Sequence, residues 1–336
     1  MESFPPPHYR TNPYLVQLFG SFPEEIDARY FSRKDALLGN FDVFHLHWPE
    51  VAVRGVSGVK SLLRGVVFLL ILLRIRIGKK ALVRTLHDQV PHEAPNFLQR
   101  WVIGLSERWT TLWIVLGDGS DPPPGSLTRN SVIGHFKDWF DHPDLDPVPG
   151  RLLHFGLVRR YKGVDNLVRE FRKLDDPHLT MRIVGAIEDE DLEREIVRAA
   201  EADSRITAVN KYVPDRQLVE EVLTSSLVVL PFTRITNSSS LILALSLNRP
   251  VLAPGAPSIV EVADEVGEGW VFLYDGDLTS AHIELAMERV REHTPSGPPD
   301  LSSRDWEKIG RDHAEAFRFA YAAIQSPTAR NHKAHL

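Results

Sequence analysis

The sequence predicts an α/β protein with two doubly wound, Rossmann-like parallel-sheet domains that face each other across a cleft. The 336 residues are too many for one ordinary core and suit two domains of about 150 residues each. Short apolar runs alternate with helical periods along the whole chain. A Pro/Asp-rich stretch over 141–150 reads as a linker. We therefore expect domains over 1–145 and 150–300, with a helix within 301–336 crossing back to the first domain.

The individual elements follow from these runs. In the first half, strands are predicted over 43–47, 81–87 and 112–116, and helices over 14–18, 58–77 and 97–109. In the second half, strands are predicted over 151–157, 180–184, 205–208, 227–232, 250–253 and 270–273. Helices fall between them near 164–174, 189–202, 216–225, 240–247 and 258–262, and a last helix covers 304–323. Six successive strand–helix units form a complete doubly wound domain.

The composition excludes several classes of protein. There is no cysteine, which rules out a disulfide framework, a thiol nucleophile and cysteine metal sites. The net charge of −6 disfavours nucleic acid as a partner. The N-terminus lacks a basic segment followed by an apolar one, so no signal peptide is expected. Neither a G-x-G-x-x-G fingerprint nor a P-loop is present. We expect a cytoplasmic enzyme.

Positive charge is concentrated in the predicted helix over 58–77. Between Val51 and Lys80 there are seven basic residues and no acidic one. On a helix, Lys60, Arg64 and Arg74 fall within about 80° of one another. The apolar run 66–73 would rise about 12 Å, too little to span roughly 30 Å of hydrocarbon. An apolar helix edged with cations can rest on an anionic lipid surface, so we expect peripheral contact with the inner face of the plasma membrane. The alternative is an ordinary helix with a solvated basic edge.

A cationic turn follows the first strand of the second half. Gly156, Arg159, Arg160 and Lys162 lie in the segment FGLVRRYKG, at the carboxyl end of a strand, where open α/β sheets bind ligands. Fixed cations there would stabilise the charge that grows on a diphosphate leaving group. The alternative is a solvated turn before a helix.

A Ser/Asn-rich turn precedes a later helix of the same half. Its polar side chains belong to Asn237, Ser238, Ser239 and Ser240. Free backbone N–H groups and hydroxyls at a helix N-terminus form an anion site. The alternative is a plain N-cap. We interpret this turn and the cationic turn together as a donor-binding site.

Polar residues also cluster after two strands of the first half. A sugar transfer that inverts configuration needs one general base for the acceptor hydroxyl. Five residues are candidates, and spacing does not choose among them: Glu50, His87, Asp88, His92 and Glu93. We take Glu50, His87 and Asp88 as catalytic candidates. The expected acceptor-binding residues are His47, Trp48, His92 and Glu93.

Two short patterns could indicate a metal. His45 and His47 share one face of a strand, but no third ligand lies at a known spacing. Asp275 and Asp277 follow a strand and suit a helix cap. We expect neither a metal nor a cofactor.

Several stretches, taken in order, resemble one known family. They are NPY at 12–14, DVFHLHWPE at 42–50, RTLHDQVPHE at 84–93, IGHFKDWF at 133–140, FGLVRRYKG at 155–163 and the segment 235–254. They are similar to bacterial glycosyltransferases of exopolysaccharide assembly, above all to the mannosyltransferases of xanthan-type pathways that use GDP-mannose and a glycolipid. The resemblance implies a GT-B fold without an essential metal. It also implies a nucleotide-sugar substrate bound by the second domain and an acceptor bound by the first.

One departure bears on the stereochemistry. Retaining GT-B enzymes carry a Glu-x7-Glu motif across the turn and helix near residue 240, and here Ile235 and Leu243 occupy those positions. We therefore expect an inverting transferase, with mannose from GDP-mannose moved to a lipid-linked or membrane-associated glycan. The alternatives are a UDP- or TDP-sugar transferase with a small soluble acceptor, and a non-catalytic sugar-nucleotide-binding protein.

Overall fold

The computed structural model describes residues 1–8, 11–55, 57–87, 97–117, 121–235, 237–292, 295 and 297–326. The chain forms two compact units. The first comprises Met1–Gly134 with Asp305–Leu336, and the second comprises His135–Arg304. None of the described helices is both long enough and apolar enough to cross a membrane.

The first unit is built on a parallel four-stranded sheet. Its strands are β1 (Val43–Leu46), β2 (Ala81–Leu86), β3 (Leu112–Leu116) and β4 (Thr128–Ser131). Its helices are α1 (Pro13–Gly20), α2 (Arg33–Leu38), α3 (Pro49–Val53), α4 (Gly58–Ile77), α5 (Phe97–Trp109) and α12 (Trp306–Gln325). The strands lie side by side in the order β1-β2-β3-β4.

Helices cover both faces of this sheet. Phe44, Leu46 and Leu82 pack with Phe68 and other residues of α4 on one face. The alternate residues of the strands face the other way, where Ala81, Val83, Leu112 and Ile114 pack on Ala316, Phe317 and Ala320 of α12. This alternation is the period of two expected of a strand that is buried on both faces. The last helix therefore belongs to the core of the first unit.

The second unit contains a parallel six-stranded sheet. Its strands are β5 (Arg151–Phe155), β6 (Thr180–Val184), β7 (Ile206–Val209), β8 (Leu227–Val229), β9 (Val251–Pro254) and β10 (Val271–Tyr274). Its helices are α6 (Val164–Phe171), α7 (Glu190–Ala202), α8 (Asp215–Leu223), α9 (Ser239–Ser246), α10 (Pro257–Val266) and α11 (Ser280–Glu292). The order β10-β9-β8-β5-β6-β7 reverses between β5 and β8. In open α/β sheets, ligands bind beyond the carboxyl ends of the strands at such a reversal.

The expected linker over 141–150 packs against the second unit. The Val148 backbone N–H donates to the Thr224 carbonyl at 3.0 Å, and the Ser226 hydroxyl donates to the Val148 carbonyl at 2.7 Å. The chain passes from the first unit to the second earlier, between Gly134 and His135. The Pro/Asp-rich composition thus marks an irregular surface segment of the second unit.

Candidate active site

The two polar turns of the second unit meet at Gly156, just beyond β5. Gly156 has a positive φ of 98°, and a Cβ atom built on it would lie 3.6 Å from Lys162 Nζ and 3.7 Å from Ser240 Oγ. The absence of a side chain at Gly156 therefore leaves a small space bordered by an ammonium and a hydroxyl. This space lies at the strand-order reversal and suits an anion.

Specific contacts hold the two turns together. Gly163 ends the cationic turn in the left-handed region, at φ +66°, and a Cβ there would lie 2.1 Å from the Pro231 carbonyl oxygen. Only glycine permits so close an approach of the turn to the chain leaving β8. The Thr233 backbone N–H and hydroxyl both donate to the Tyr161 carbonyl, at 3.0 and 2.9 Å. The turn after β5 is thereby fixed to the segment that leads into α9.

The start of α9 combines a cap with exposed donors. Ser238 is the N-cap residue, and its side chain accepts a hydrogen bond from the Leu241 backbone N–H. Ser239 is exposed and Ser240 half-buried in the first turn of the helix. The capping alternative therefore applies to Ser238, while Ser240 is the serine that borders the space at Gly156.

The two arginines of the cationic turn interact with acidic residues. Arg159 and Glu188 form one ion pair, in which Nη2 lies 3.0 Å from Oε2. The exposed Arg160 lies 2.9 Å from Asp189, the N-cap of α7, and 3.4 Å from Glu195 within that helix. Lys162 is thus the cation of this turn whose charged atom the structure places beside Gly156.

A neutral histidine lies inside the strand-order reversal. His154 of β5 is fully buried, and its Nδ1 donates to the Val229 carbonyl of β8 at 2.9 Å. Burial, with a smaller contribution from the Lys162 charge, lowers the pKa of His154 to about 4, although the hydrogen bond to Val229 opposes the change. His154 therefore adds no positive charge to the site near pH 7.

The first unit contains a buried network centred on the carboxylate of Glu2. Glu2 Oε1 lies 2.9 Å from His45 Nδ1, and Glu2 Oε2 lies 3.0 Å from His47 Nε2. His45 Nε2 continues to the Thr85 hydroxyl at 2.7 Å. His47 Nδ1 continues to His87 Nε2 at 3.0 Å. Because β1 and β2 are parallel neighbours, His47 and His87 come together just past their carboxyl ends.

Aromatic side chains fix the His87 ring. Trp48 stacks on it at a centroid distance of 4.1 Å and an interplanar angle of 23°. Tyr14 contacts it edge-on at 5.4 Å and 88°. His87 is 9% exposed and lies at the edge of the network, whereas His47 is 3% exposed and both its nitrogens have protein partners. This geometry favours a supporting role for His47 over the acceptor contact expected from the sequence.

The charges of the network follow from burial and hydrogen bonding. Burial tends to raise the pKa of Glu2, but the charge and hydrogen bonds of His45 and of His47 outweigh it, and the net effect lowers this pKa. Burial lowers the pKa of His47 to about 4. Burial, with a smaller contribution from the neighbouring His47, lowers the pKa of His87 well below its usual value. Glu2 is therefore an anion near neutral pH, and His47 and His87 are neutral.

The same network contains a group of residues with metal-ligand chemistry. Ligand atoms of Glu2, His45 and His47 all lie within 4.8 Å of one another. Glu2 is a third candidate ligand beside the two histidines, and no spacing in the sequence indicated it. Each of these histidine nitrogens already lies at hydrogen-bond distance from a carboxylate oxygen of Glu2. These ligand atoms therefore already have hydrogen-bond partners within the protein.

The remaining candidates of the first half are only partly placed. Glu50 is half-buried in the first turn of α3. Asp88, His92 and Glu93 lie outside the described residues. Of the two catalytic candidates that the structure describes, Glu50 and His87, it is His87 that belongs to the hydrogen-bond network.

The helix α4 exposes an apolar face opposite its core face. Phe68, Ile71, Leu72 and Ile75 are buried on one side. On the other side, six exposed side chains form what we call the apolar stripe: Val59, Leu63, Val66, Leu70, Leu73 and Ile77. Lys60 and Arg64 are exposed near the start of the helix, and the Arg64 guanidinium donates to the Arg54 carbonyl. Arg74 differs from expectation, because its guanidinium donates to the carbonyls of Ala36 and Gly39, so it is half-buried and tied to the protein.

The two parallel α/β units, with a cation- and serine-lined crevice at a strand-order reversal, define a glycosyltransferase of the GT-B fold. The family model described as "Glycosyl transferases group 1" matches residues 149–289. The chain is 41% identical over 317 residues to a GDP-mannose:glycolipid 4-beta-D-mannosyltransferase of Xanthomonas campestris pv. campestris, covering 93% of this chain and 89% of that protein. The chain therefore belongs to this family of group 1 glycosyltransferases.

Solved structures show the same fold. The Anabaena protein Alr3699/HepE in complex with UDP has a TM-score of 0.52 at 16% identity, covering 87% of this chain and 78% of that chain. The catalytic domain of starch synthase IV from Arabidopsis thaliana has a TM-score of 0.60 at 9% identity, covering 84% and 73%. At these identities the comparison establishes the architecture alone.

Proposed function

We propose that this protein transfers mannose from GDP-mannose to a lipid-linked glycan, with inversion at the anomeric carbon and without a metal or cofactor. The main support for the donor site is that the side chains of Lys162 and Ser240 both lie next to Gly156. A diphosphate seated there would contact one ammonium, one hydroxyl and the N-terminus of α9. The choice of mannose and glycolipid rests on the likeness to the xanthomonad mannosyltransferase.

The chemistry needs little from the protein beyond charge and one base. The glycosyl bond breaks toward the diphosphate, which leaves with the bonding electrons, and Lys162 stabilises that charge. A hydroxyl of the acceptor attacks the anomeric carbon and gives its proton to a base of the first unit. Mannose is α-linked in GDP-mannose, so a β-mannoside product requires attack from the opposite face.

A transfer assay with a donor panel tests this proposal. The purified protein is incubated with radiolabelled GDP-mannose, UDP-glucose or UDP-glucuronate and a polyprenyl-diphosphate-linked oligosaccharide. We expect label in the lipid fraction from GDP-mannose, and a β-anomeric signal in the product by NMR. Transfer from a UDP-sugar to a small soluble acceptor would replace the proposal with the alternative activity. Binding of none of these nucleotides at millimolar concentration would favour a non-catalytic role.

We further propose that the apolar stripe of α4 rests on an anionic membrane, where a lipid-linked acceptor resides. Its members recur at intervals of four and three residues and so form one continuous line along the helix. Val59 and Ile77, at its two ends, are each 79% exposed. No acidic residue occurs between Val51 and Lys80. Two such faces would repel each other in a dimer, whereas anionic lipid complements their charge.

Vesicle flotation tests the docking surface. Leu63 and Leu70 are 63% and 48% exposed, and their contact with lipid is worth about 2–3 kcal/mol together. We expect Leu63→Ser/Leu70→Ser to bind phosphatidylglycerol vesicles roughly 30- to 100-fold more weakly than the wild type. Leu285→Ser, at a leucine of the second unit that is also 48% exposed, should bind like the wild type. The proposal would be contradicted if the wild type did not bind these vesicles at low salt. It would also be contradicted if the wild type formed a dimer that the double variant does not form.

A further inference from the structure

The helices α2–α5 carry the most exposed hydrophobic side chains of the described chain. The six most exposed large hydrophobic residues in the described ranges are 63% to 79% exposed, and all six lie in these four helices. They are Leu38, Val51, Val59, Leu63, Ile77 and Phe97. Outside these helices, the most exposed large hydrophobic side chain described is that of Tyr212, at 50%. Apolar surface concentrated in this way marks an interaction site that is wider than the apolar stripe of α4.

Helices α4 and α5 lie on the same face of the first sheet. Their buried residues Phe68 and Val102 belong to one core cluster, together with Leu82 of β2. The two helices contact each other at Gly65, where a Cβ atom would lie 3.7 Å from Leu98 Cδ2. The sides of α4 and α5 that point away from this core therefore face solvent in the same direction.

The outer side of α5 combines aromatic and basic side chains, which we call the α5 patch: Phe97, Arg100, Trp101 and Arg108. On a helix these four residues fall within about 100° of one another, and the buried Val102 lies about 150° from their centre. Phe97 is 78% exposed and Trp101 is 50% exposed. The patch thus lies opposite the core side of the helix.

The charge of the α5 patch is positive. Both of its arginines are exposed. The acidic residue of this part of α5, Glu107, pairs with the buried Arg84 at 3.4 Å, which offsets its charge. Tryptophan and arginine together suit the boundary between lipid and water, where an aromatic ring has apolar and polar surroundings and a guanidinium contacts phosphate.

We infer that the α5 patch contacts the same anionic bilayer as the apolar stripe, so that two adjacent helices dock on the membrane; this rests on the membrane docking proposed for α4. Phe97 and Trp101 enter the headgroup region, and the two arginines contact lipid phosphates. Anionic lipid is the occupant that matches both the apolar and the positive side chains. A second copy of the chain would bring like charges together.

Contact through two helices fixes an orientation that contact through α4 alone leaves free. One helix lying on a membrane allows the protein to roll about the helix axis, whereas two neighbouring helices define a plane. The first sheet then lies parallel to the bilayer, about one helix diameter or 10–12 Å above it. Its carboxyl edge opens along the membrane surface, at the height of acceptor sugars that are close to their lipid anchor.

Vesicle binding by variants on the two faces of the first sheet tests this inference. Phe97→Ser/Trp101→Ser should bind phosphatidylglycerol vesicles roughly 30- to 100-fold more weakly than the wild type. The matched control is Phe319→Ser/Tyr321→Ser, at two aromatic residues of α12 that are 39% and 38% exposed. Because α12 packs on the opposite face of the same sheet, this control should bind like the wild type.

Two further measurements identify lipid as the occupant. Arg100→Gln/Arg108→Gln should bind phosphatidylglycerol vesicles roughly 10- to 30-fold more weakly, with binding to phosphatidylcholine vesicles unchanged. Brominated lipids should quench part of the tryptophan fluorescence of the bound wild type. This quenching should be lost in Trp101→Phe and kept in Trp139→Phe, at a half-buried tryptophan of the second unit.

The possible failures can be told apart. A wild type that does not bind vesicles refutes the docking proposed for α4. If Leu63→Ser/Leu70→Ser weakens binding but Phe97→Ser/Trp101→Ser does not, and Trp101 is not quenched, docking through α4 stands and the inference is overturned. Equal losses in the α5 and α12 variants would overturn it as well, because neither face would then be preferred. A wild-type dimer that Phe97→Ser/Trp101→Ser does not form would identify a second copy as the occupant and would also overturn it.

Discussion

Replacement of Lys162 by methionine gives the sharpest prediction for the donor site. Methionine keeps most of the length of the side chain and its packing near the Phe232 ring, which lies 5.8 Å from Nζ, but removes the charge. A phosphate oxygen resting against Gly156 would lie within about 4 Å of Nζ, given the 3.6 Å spacing found for a Cβ at that glycine. At that distance two unit charges interact by about 4 kcal/mol at an effective dielectric constant of about 20.

The leaving diphosphate gains roughly half to one unit of charge as the glycosyl bond breaks, so the lost stabilisation is about 2–4 kcal/mol. We therefore expect the turnover of Lys162→Met to fall by roughly 30- to 1000-fold. The assay is initial-rate transfer from radiolabelled GDP-mannose at saturating donor, with GDP affinity measured by calorimetry.

Lys173→Met is the control for this variant. Lys173 is a half-exposed lysine just beyond α6 whose Nζ pairs with Glu170 at 2.7 Å, and its loss should leave turnover within about twofold. Turnover of Lys162→Met within about threefold of the wild type would refute the placement of the diphosphate. An equal loss in both variants would show that charge near Gly156 has no special role.

Three further predictions concern the second unit. Gly163→Ala places a Cβ 2.1 Å from the Pro231 carbonyl at φ +66°, so we expect a lower melting temperature and weaker GDP binding; wild-type values for both would contradict the fit of the turn. Arg160→Met should lower turnover by less than about tenfold, because Arg160 already pairs with Asp189. A loss of turnover as large as that of Lys162→Met would show that Arg160 contacts the phosphates after all. The pKa of His154 is about 4 in the folded state and near 6.5 when unfolded, so the folded state binds fewer protons between these values and stability falls as pH decreases from 6.5 to 4. Between pH 7.5 and pH 5, the free energy of unfolding measured with urea should fall by about 2 kcal/mol less in His154→Gln than in the wild type. An equal fall in both proteins would show that His154 is not held neutral.

The second unit was the part of the fold most open to sequence reasoning. Buried parallel strands are apolar runs of four to six residues between amphipathic helices, and those runs are explicit in this half. The donor turns could be located for the same reason, since both directly follow such strands. Strand β4 was missed because Thr128–Ser131 is a polar edge strand without an apolar run.

The first unit shows what local patterns cannot reveal. Glu2 is 43 residues from its partner His45, and nothing near it in the sequence predicts that a carboxylate will be buried. The segment around Glu2 pairs with His45 beside β1, and that pairing is a long-range event. Helix α4 is apolar on two opposite faces, so periodicity alone does not show which of its apolar residues are exposed.

Arg74 illustrates the limit of helical-wheel reasoning. Its angular position groups it with Lys60 and Arg64, but its side chain turns to the carbonyls of Ala36 and Gly39 in and after α2. A long side chain can reach several surfaces from one position, and the choice depends on neighbouring elements. The charge face of α4 is therefore narrower than the sequence implied.

In the proposed donor site, Lys162, Gly156 and Ser240 hold the diphosphate of a nucleotide sugar. A crystal structure of the protein soaked with GDP tests it most directly. We expect a phosphate oxygen within hydrogen-bond distance of both Lys162 Nζ and Ser240 Oγ, over the bare Cα of Gly156. A diphosphate bound elsewhere in the protein, with Gly156 untouched, would contradict the account.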